Sequence, residues 1–435
     1  MIETQGRPAH ELRKCEMEEL RIAIAKFCAW LSESKGVSYD PYDVLGTPYG
    51  RWARRIYYRK NPLGVVLTAP LILMEILCPQ LRALFVKKNR YPTADAQLAL
   101  AFLNLYETGQ AQGEDPTAVR STTVWLDKAK HLADELLKQS SVGYRGFCWG
   151  YPFDWQHVNG LMPKGTPHIT ATPYCYEVFT RLFDLTGDSH YLNIACSIAT
   201  FVSEDLKDTP AGDGASASSY TPYDQGKVVN ASAYRAFVLF DAWRRYHNQE
   251  YFTRAQRNLQ FVLGSQRSDG SWLYAIDNPP EAFIDNFHTC FVLKNLYKLN
   301  QHLGRPEVTR SVLRGYEFYR RALFDEQDNP KTYAVAPRTE IVRLEMYNFA
   351  EAITLGVLLR NEIPEALTIA DELAARLVRQ FQLPNGCFVT RTYRGGIRHL
   401  VPYLRWPQSQ LFYALTNFLL ALQTTDPDLR CPELA

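Results

Sequence analysis

Asp285, Asn286 and His288 fall within four positions, immediately before the apolar run CFVLKNLYKL. An acid, an amide and an imidazole at the head of a helix can form a base with an orienting partner. The acid suits a second role equally well, because Asp at an N-cap accepts from the free backbone N–H groups of the first turn. His288 likewise reads either as a base or as a tie to a neighbouring loop. Asn230, ahead of another apolar run, carries the same pair of readings.

The trio is one of several polar clusters, which occupy residues 144–170, 210–232, 269–289, 328–351 and 385–410. Removing the proton beside a uronate carboxylate needs a base and donors for the enolate-like intermediate. His288, Tyr347 and Tyr223 are the candidate bases or acids, with Asp285 beside them. Inverting hydrolysis needs instead two carboxyl groups ~6.5–9.5 Å apart. Asp154 and Asp285 are candidates for that pair, with Glu345 as a third.

Aromatic and amide side chains crowd the same stretches. Trp149, Tyr151, Trp155, Tyr220, Tyr274 and Trp406 offer flat faces for sugar C–H groups. Gln156, His168, Asn230, Asn286, Glu345 and Asn348 offer hydrogen bonds for hydroxyls. Arg343 and Arg405, with Arg338, Arg391, Arg394 and Arg398 nearby, suit bidentate pairing with carboxylates. An acidic sugar is therefore the expected substrate type, as a polysaccharide, an oligosaccharide or a lipid-linked precursor.

The bulk composition excludes other classes. The formal net charge of +2 gives no drive toward nucleic acid. Nine scattered cysteines contain no CxxC pair, against a disulfide framework or a structural zinc site. No phosphate-binding glycine loop, HExxH or Ser/His/Asp signature occurs, so no metal and no cofactor is expected. Protonating cyclases and prenyltransferases are disfavoured too, since an Asp-rich acid motif and an Asp/Cys/His zinc set are both missing. A polar N-terminus without the apolar core of a secretory signal points to the cytoplasm.

Residues 51–90 are basic at both ends and apolar between, but Pro70, Glu75 and Pro79 interrupt the run. A spanning helix needs roughly 20 apolar residues. The segment reads either as a helical hairpin plugging the fold or as a peripheral contact with the inner membrane face, its cations toward lipid headgroups.

The elements that must position these clusters come from a repeat. Helix–turn–helix units recur from residue 96 onward, each with a first helix apolar nearly all round and a second polar on one face. PQSQLFYALTNFLLALQ is a sixth first helix without a partner. The run ELRKCEMEELRIAIAKFCAWL could supply that partner and close the ring. The expected fold is all-α, an (α/α)6 barrel or toroid of six helical hairpins with its long loops on one rim. Residues 1–92 would hold the N-terminal helix and the basic/apolar segment, and residues 93–435 the toroid.

FVLGSQRSDGSW resembles the QW repeat of terpene cyclases and other α/α toroids, through Gln266, Gly270 and Trp272. RQFQLPNGCF echoes it through Gln382, Gly386 and Phe388. PKGTPHITATPYCYEVFTRLFDLTGDSHYLNIA resembles the helical domain of glucuronyl C5-epimerases. The whole pattern resembles glycan-active toroid enzymes, which include polysaccharide lyases and hydrolases. YDPYD, WGYPFDWQ and IDNFHT are similar to stretches of uncharacterised bacterial proteins linked to surface-polysaccharide synthesis. The resemblance implies lyase or C5-epimerase chemistry on a uronate, with an inverting hydrolase or a non-catalytic glycan-binding protein as alternatives.

Overall fold

The computed structural model describes residues 9–110, 116–157, 160–276, 282–337 and 339–425. Six inner helices form a closed ring: α4 (Pro92–Gln110), α6 (Thr172–Thr186), α8 (Val229–Tyr246), α10 (Asn286–Leu303), α12 (Met346–Leu359) and α14 (Ser409–Thr425). Each packs on the next in that order, and α14 packs back on α4. The outer layer is α5 (Pro116–Lys138), α7 (Ser189–Glu204), α9 (Gln249–Gly264), α11 (Pro306–Ala322) and α13 (Pro364–Arg376). The N-terminal α1 (Ala9–Ser34) lies beside α14 and α13 and takes the sixth outer position. The molecule is thus an (α/α)6 toroid.

Burial follows the apolar patterning. In α12 nearly every side chain is buried, as an inner helix requires. In α11 the buried set is Val308, Ser311, Val312, Gly315, Tyr316, Phe318 and Tyr319, one stripe of an amphipathic cylinder. The inner-to-outer turns are short and end cleanly. Gly187 and Gly304 close α6 and α10 in the left-handed conformation, and Asp188 caps α7 by accepting from the His190 N–H at 2.9 Å.

Adjacent outer helices are tied by the Gln–Gly–aromatic turns. Gln266 Nε2 donates to Gly270 O at 3.0 Å and to Ser311 O of α11 at 2.9 Å, while Trp272 Nε1 donates to Val262 O at 2.9 Å. Gln382 makes the equivalent pair to Gly386 O at 3.0 Å and to Ala23 O of α1 at 2.8 Å. The backbone approaches closely at both glycines: a Cβ on Gly270 would lie 2.4 Å from Arg314 O, and one on Gly386 2.2 Å from Lys26 O. Both glycines also have φ above +90°.

The outer-to-inner connections share one rim and are stitched by short strands. Trp155–His157 (β1) pairs with Gly160–Met162 (β2), and Asp208–Pro210 (β3) with Ser216–Ser218 (β4). Ile284–Asp285 (β5) pairs with Tyr333–Val335 (β6), joining neighbouring loops. Val342–Glu345 (β7) pairs with Arg391–Tyr393 (β8), and β8 with Arg398–His399 (β9).

Residues 48–84 add a hairpin to this rim: α2 (Pro48–Tyr58), α3 (Pro62–Leu77) and a 3-10 turn (Pro79–Leu84). The buried Arg82 fastens it. Its guanidinium donates to Asp40 O at 2.6 Å, to Asp43 Oδ1 at 3.0 Å and to Glu75. Glu75 in turn accepts from Tyr403 Oη at 2.8 Å, and His399 Nε2 lies 3.1 Å from its carboxylate. No described helix is long and apolar enough to cross a membrane.

Candidate functional site

The rim loops and the hairpin enclose a cavity of about 2030 Å³. Its wall includes Tyr151, Trp155, Tyr220, Tyr223, Tyr274, Asp285, His288, Arg405 and Trp406 from the sequence candidates. Tyr42, Arg54, Tyr57, Tyr58, His157, Asp224, Phe283, Phe287 and Tyr333 join them.

Asp285 fills both roles open to it. Oδ1 accepts from the His288 backbone N–H at 3.2 Å and caps α10, while Oδ2 lies 2.7 Å from His288 Nδ1. The carboxylate is buried and the imidazole keeps a fifth of its surface open. A carboxylate at Nδ1 selects the tautomer with the proton there, which leaves the Nε2 lone pair as the basic site. Tyr274, Phe283 and Phe287 surround the ring with centroids 4.5, 6.2 and 4.2 Å away.

Arg405 supplies a fixed cation on the same wall. Its Nη2 lies 2.9 Å from Asp40 Oδ1 and its Nε reaches the other oxygen, a bidentate pair. The guanidinium carbon sits 4.9 Å from the Tyr151 centroid and 5.6 Å from that of Trp406. A second cation comes from the hairpin, where Arg54 lies over Trp155 at 4.2 Å.

Several candidates lie outside the cavity wall, each for a definite reason. Tyr347 is buried beneath Trp406, stacked at 4.0 Å and 6°, and burial pushes its phenol well above the ordinary value. It supports the indole and is badly placed as a base. Asp154 is held by Arg51 and accepts from the Lys164 N–H at 2.8 Å, so the expected Asp154/Asp285 pair does not share the cavity. Glu345 is buried against Arg391 at 3.1 Å, with burial raising its carboxyl. Trp149 is fully buried and donates to Leu136 O at 2.7 Å. Gln156 turns to His157 O at 3.0 Å. Asn286 is buried, its Oδ1 accepting from Tyr319 Oη at 3.2 Å. Asn348 is buried with its amide toward Lys331 O at 3.4 Å. Arg343 is exposed on β7, Arg394 and Arg398 are exposed, and Arg338 lies outside the described residues.

His168 stands just behind the wall, and Asn230 is buried at the start of α8. His168 packs against Tyr151 at 4.5 Å and Tyr220 at 5.9 Å, and Nδ1 meets Thr170 Oγ1 at 3.0 Å. Burial, with Arg405 adding to it, lowers its pKa to about 3. Its Nε2 and both polar atoms of the buried Asn230 side chain have no partner among the described residues. Orphaned polar groups are rare in cores and call for a water or a ligand hydroxyl.

The sequence gives no role to Asp40, Tyr42 or His157, and it puts Arg51 and Arg54 among the cations expected to face lipid headgroups, whereas Arg51 pairs with Asp154 and Arg54 lies over Trp155. Asp40 belongs to the conspicuous YDPYD, but its partner Arg405 is 365 residues away. Arg54 was hidden in a segment readable as a plug or a membrane contact. Also unforeseen is the buried ion pair of Lys294 on α10 and Glu351 on α12, 2.5 Å apart inside the ring.

Neither a protein-family profile nor a curated protein matches the chain in sequence. Solved structures match it in fold. A cellobiose 2-epimerase from Bacillus thermoamylovorans aligns at a TM-score of 0.56 with 12% identity, over 78% of this chain and 88% of the epimerase. A family 76 α-mannanase from Bacteroides thetaiotaomicron gives 0.54 at 10% identity, over 75% and 87%. A polysaccharide lyase gives 0.51 at 11% identity, over 81% and 96%. The chain has the α/α-toroid architecture of these glycan-active enzymes, and identities this low establish a shared fold.

Proposed function

We propose that the chain is a carbohydrate-active enzyme that removes a proton from a uronate-containing polysaccharide or its precursor, as a lyase or a C5-epimerase. The observation that carries this reading is His288, oriented by Asp285 and set among aromatic rings on the cavity wall with Arg405. The neutral imidazole takes the C5 proton at Nε2, and the adjacent carboxylate stabilises the imidazolium that forms. Arg405 holds the substrate carboxylate, where negative charge builds as the proton leaves. Tyr151, Trp155, Tyr220 and Trp406 stack on sugar faces. Tyr223, at the exposed mouth and 2.8 Å from Tyr144 Oη, is the candidate proton donor, to the leaving oxygen as its bond to C4 breaks in a lyase or to C5 from the opposite face in an epimerase.

Hydrolysis fits less well. The carboxylates on the described wall are Asp285 and Asp224. The first is committed to His288. The second accepts from Tyr220 N, Thr221 N, Thr221 Oγ1 and Gly226 N, at 2.6–3.1 Å. Neither resembles a carboxylic acid free to protonate a leaving group.

A panel of uronate-containing and neutral glycans tests the reading by product. Absorbance from an unsaturated uronate is expected for a lyase, and altered C5 configuration without cleavage for an epimerase. New reducing ends without that absorbance would replace the proposal with a hydrolase. Binding without any product would leave a glycan-binding protein.

A further inference from the structure

Among the described residues, exposed large apolar side chains concentrate on the outer side of the hairpin. Along α3, Leu63, Val66, Pro70, Leu73 and Leu77 recur at spacings that put them on one stripe, and all are exposed. Val66 is 66% and Leu77 62% exposed, and the 3-10 turn carries the stripe on through Leu84 at 76% and Phe85 at 62%. The buried positions of α3 are Gly64 and Thr68, Leu67, Leu71, Met74 and Ile76 are half-buried, and the stripe of large apolar side chains is left outward. A contiguous apolar surface of this kind marks an interaction site.

Charge identifies what it meets. Between residues 48 and 88 every exposed charged side chain is cationic: Arg55, Arg59, Lys60, Lys87 and Lys88. The whole chain is nearly balanced, with 48 basic and 46 acidic residues, so this is a local concentration. The segment's single acid, Glu75, is drawn inward by Arg82 and Tyr403. Exposed aromatic rings, Tyr49 and Trp52, complete the pattern of an interfacial element. At 16 residues, α3 falls short of the roughly 20 needed to span a bilayer.

We infer that the α3 stripe and the following 3-10 turn seat in the plane of an anionic lipid surface, with the flanking lysines and arginines on the headgroups. Lys60, Asn61, Pro62 and Val65 also line the cavity, so docking places its mouth at headgroup level. The docking rests on the hairpin alone. Joined to the proposed sugar chemistry, it favours a saccharide carried on a lipid anchor.

The test is flotation of the full chain with phosphatidylcholine vesicles, with and without phosphatidylglycerol, at low and high salt. Binding is expected only to the anionic vesicles, and salt weakens it. Leu77→Asp with Leu84→Asp abolishes it, and Lys87→Glu with Lys88→Glu weakens it on the order of tenfold or more, in proteins whose melting curves match the parent. Absence of flotation, or flotation indifferent to both double variants, overturns the inference. So does a dimer seen by light scattering that the leucine variants dissociate while vesicles are ignored, because the face then belongs to a second copy. Glycan turnover in vesicle-free buffer is read separately, so loss of docking leaves the role of His288 untouched.

Discussion

At the residue scale, the proposed proton transfer depends on one imidazole and the carboxylate behind it. His288→Gln keeps the ring's approximate volume and removes the base. We expect turnover to fall by about 10²–10⁴-fold while glycan affinity, measured by calorimetry, changes little. Asp285→Asn should cost a comparable share of turnover, because an amide no longer selects the tautomer that frees Nε2. A structural role for the pair would instead appear as lost thermal stability with unchanged turnover in the surviving fold. His168 makes a separate prediction. Its pKa drops from the ordinary 6.5 to about 3 in the folded chain, so below pH 6.5 the unfolded state binds a proton that the folded state refuses. Its contribution to stability is therefore complete above pH 6.5 and is lost as pH falls toward 3. His168→Gln should flatten the acid limb of the melting temperature measured across that window. An equally steep limb in the variant would remove His168 from the explanation.

At the element scale, the ring depends on ties between neighbouring outer helices, and the tie from the α13 end to α1 joins chain segments far apart in sequence. Gln382→Ala removes two side-chain hydrogen bonds and leaves Ala23 O without that partner. A loss of ~1–3 kcal/mol in chemical denaturation is expected. Gly386→Ala should cost at least as much, since its Cβ would meet Lys26 O and its backbone has φ of +94°. Stability unchanged by both would mean that α1 is held by its apolar packing and the Arg379–Glu19 ion pair without help from these ties. These ties were readable from the sequence, because Gln266, Gly270 and Trp272 stand at short fixed spacings and the hairpins repeat. Asp285 and His288 were readable for the same reason, being neighbours on one turn. What escaped were relations across long separations. Nothing local says that Asp40 grips Arg405, or that Tyr347 lies under Trp406. Nor does periodicity show which end-of-helix polar groups turn inward, as Asn230, Asn286 and Asn348 do, and which reach the cavity.

At the scale of the whole molecule, the toroid converts five distant loops and one hairpin into a single cavity, with a rigid ring beneath it. The same architecture carries hydrolases, lyases and epimerases, so the ring leaves the chemistry open and the wall decides it. Here the described wall offers an oriented imidazole, a pinned guanidinium and stacked aromatic rings, while its carboxylates are already engaged. The decisive measurement is solvent exchange at the uronate C5 position: the full chain is incubated with uronate glycans in heavy water, and the recovered sugars are read by mass spectrometry and NMR. Deuterium at C5, or an unsaturated product with that proton gone, is expected with the parent protein and neither with His288→Gln. Retention of the C5 proton in every glycan that the cavity binds, or equal exchange by the His288 variant, would contradict the proposed proton transfer.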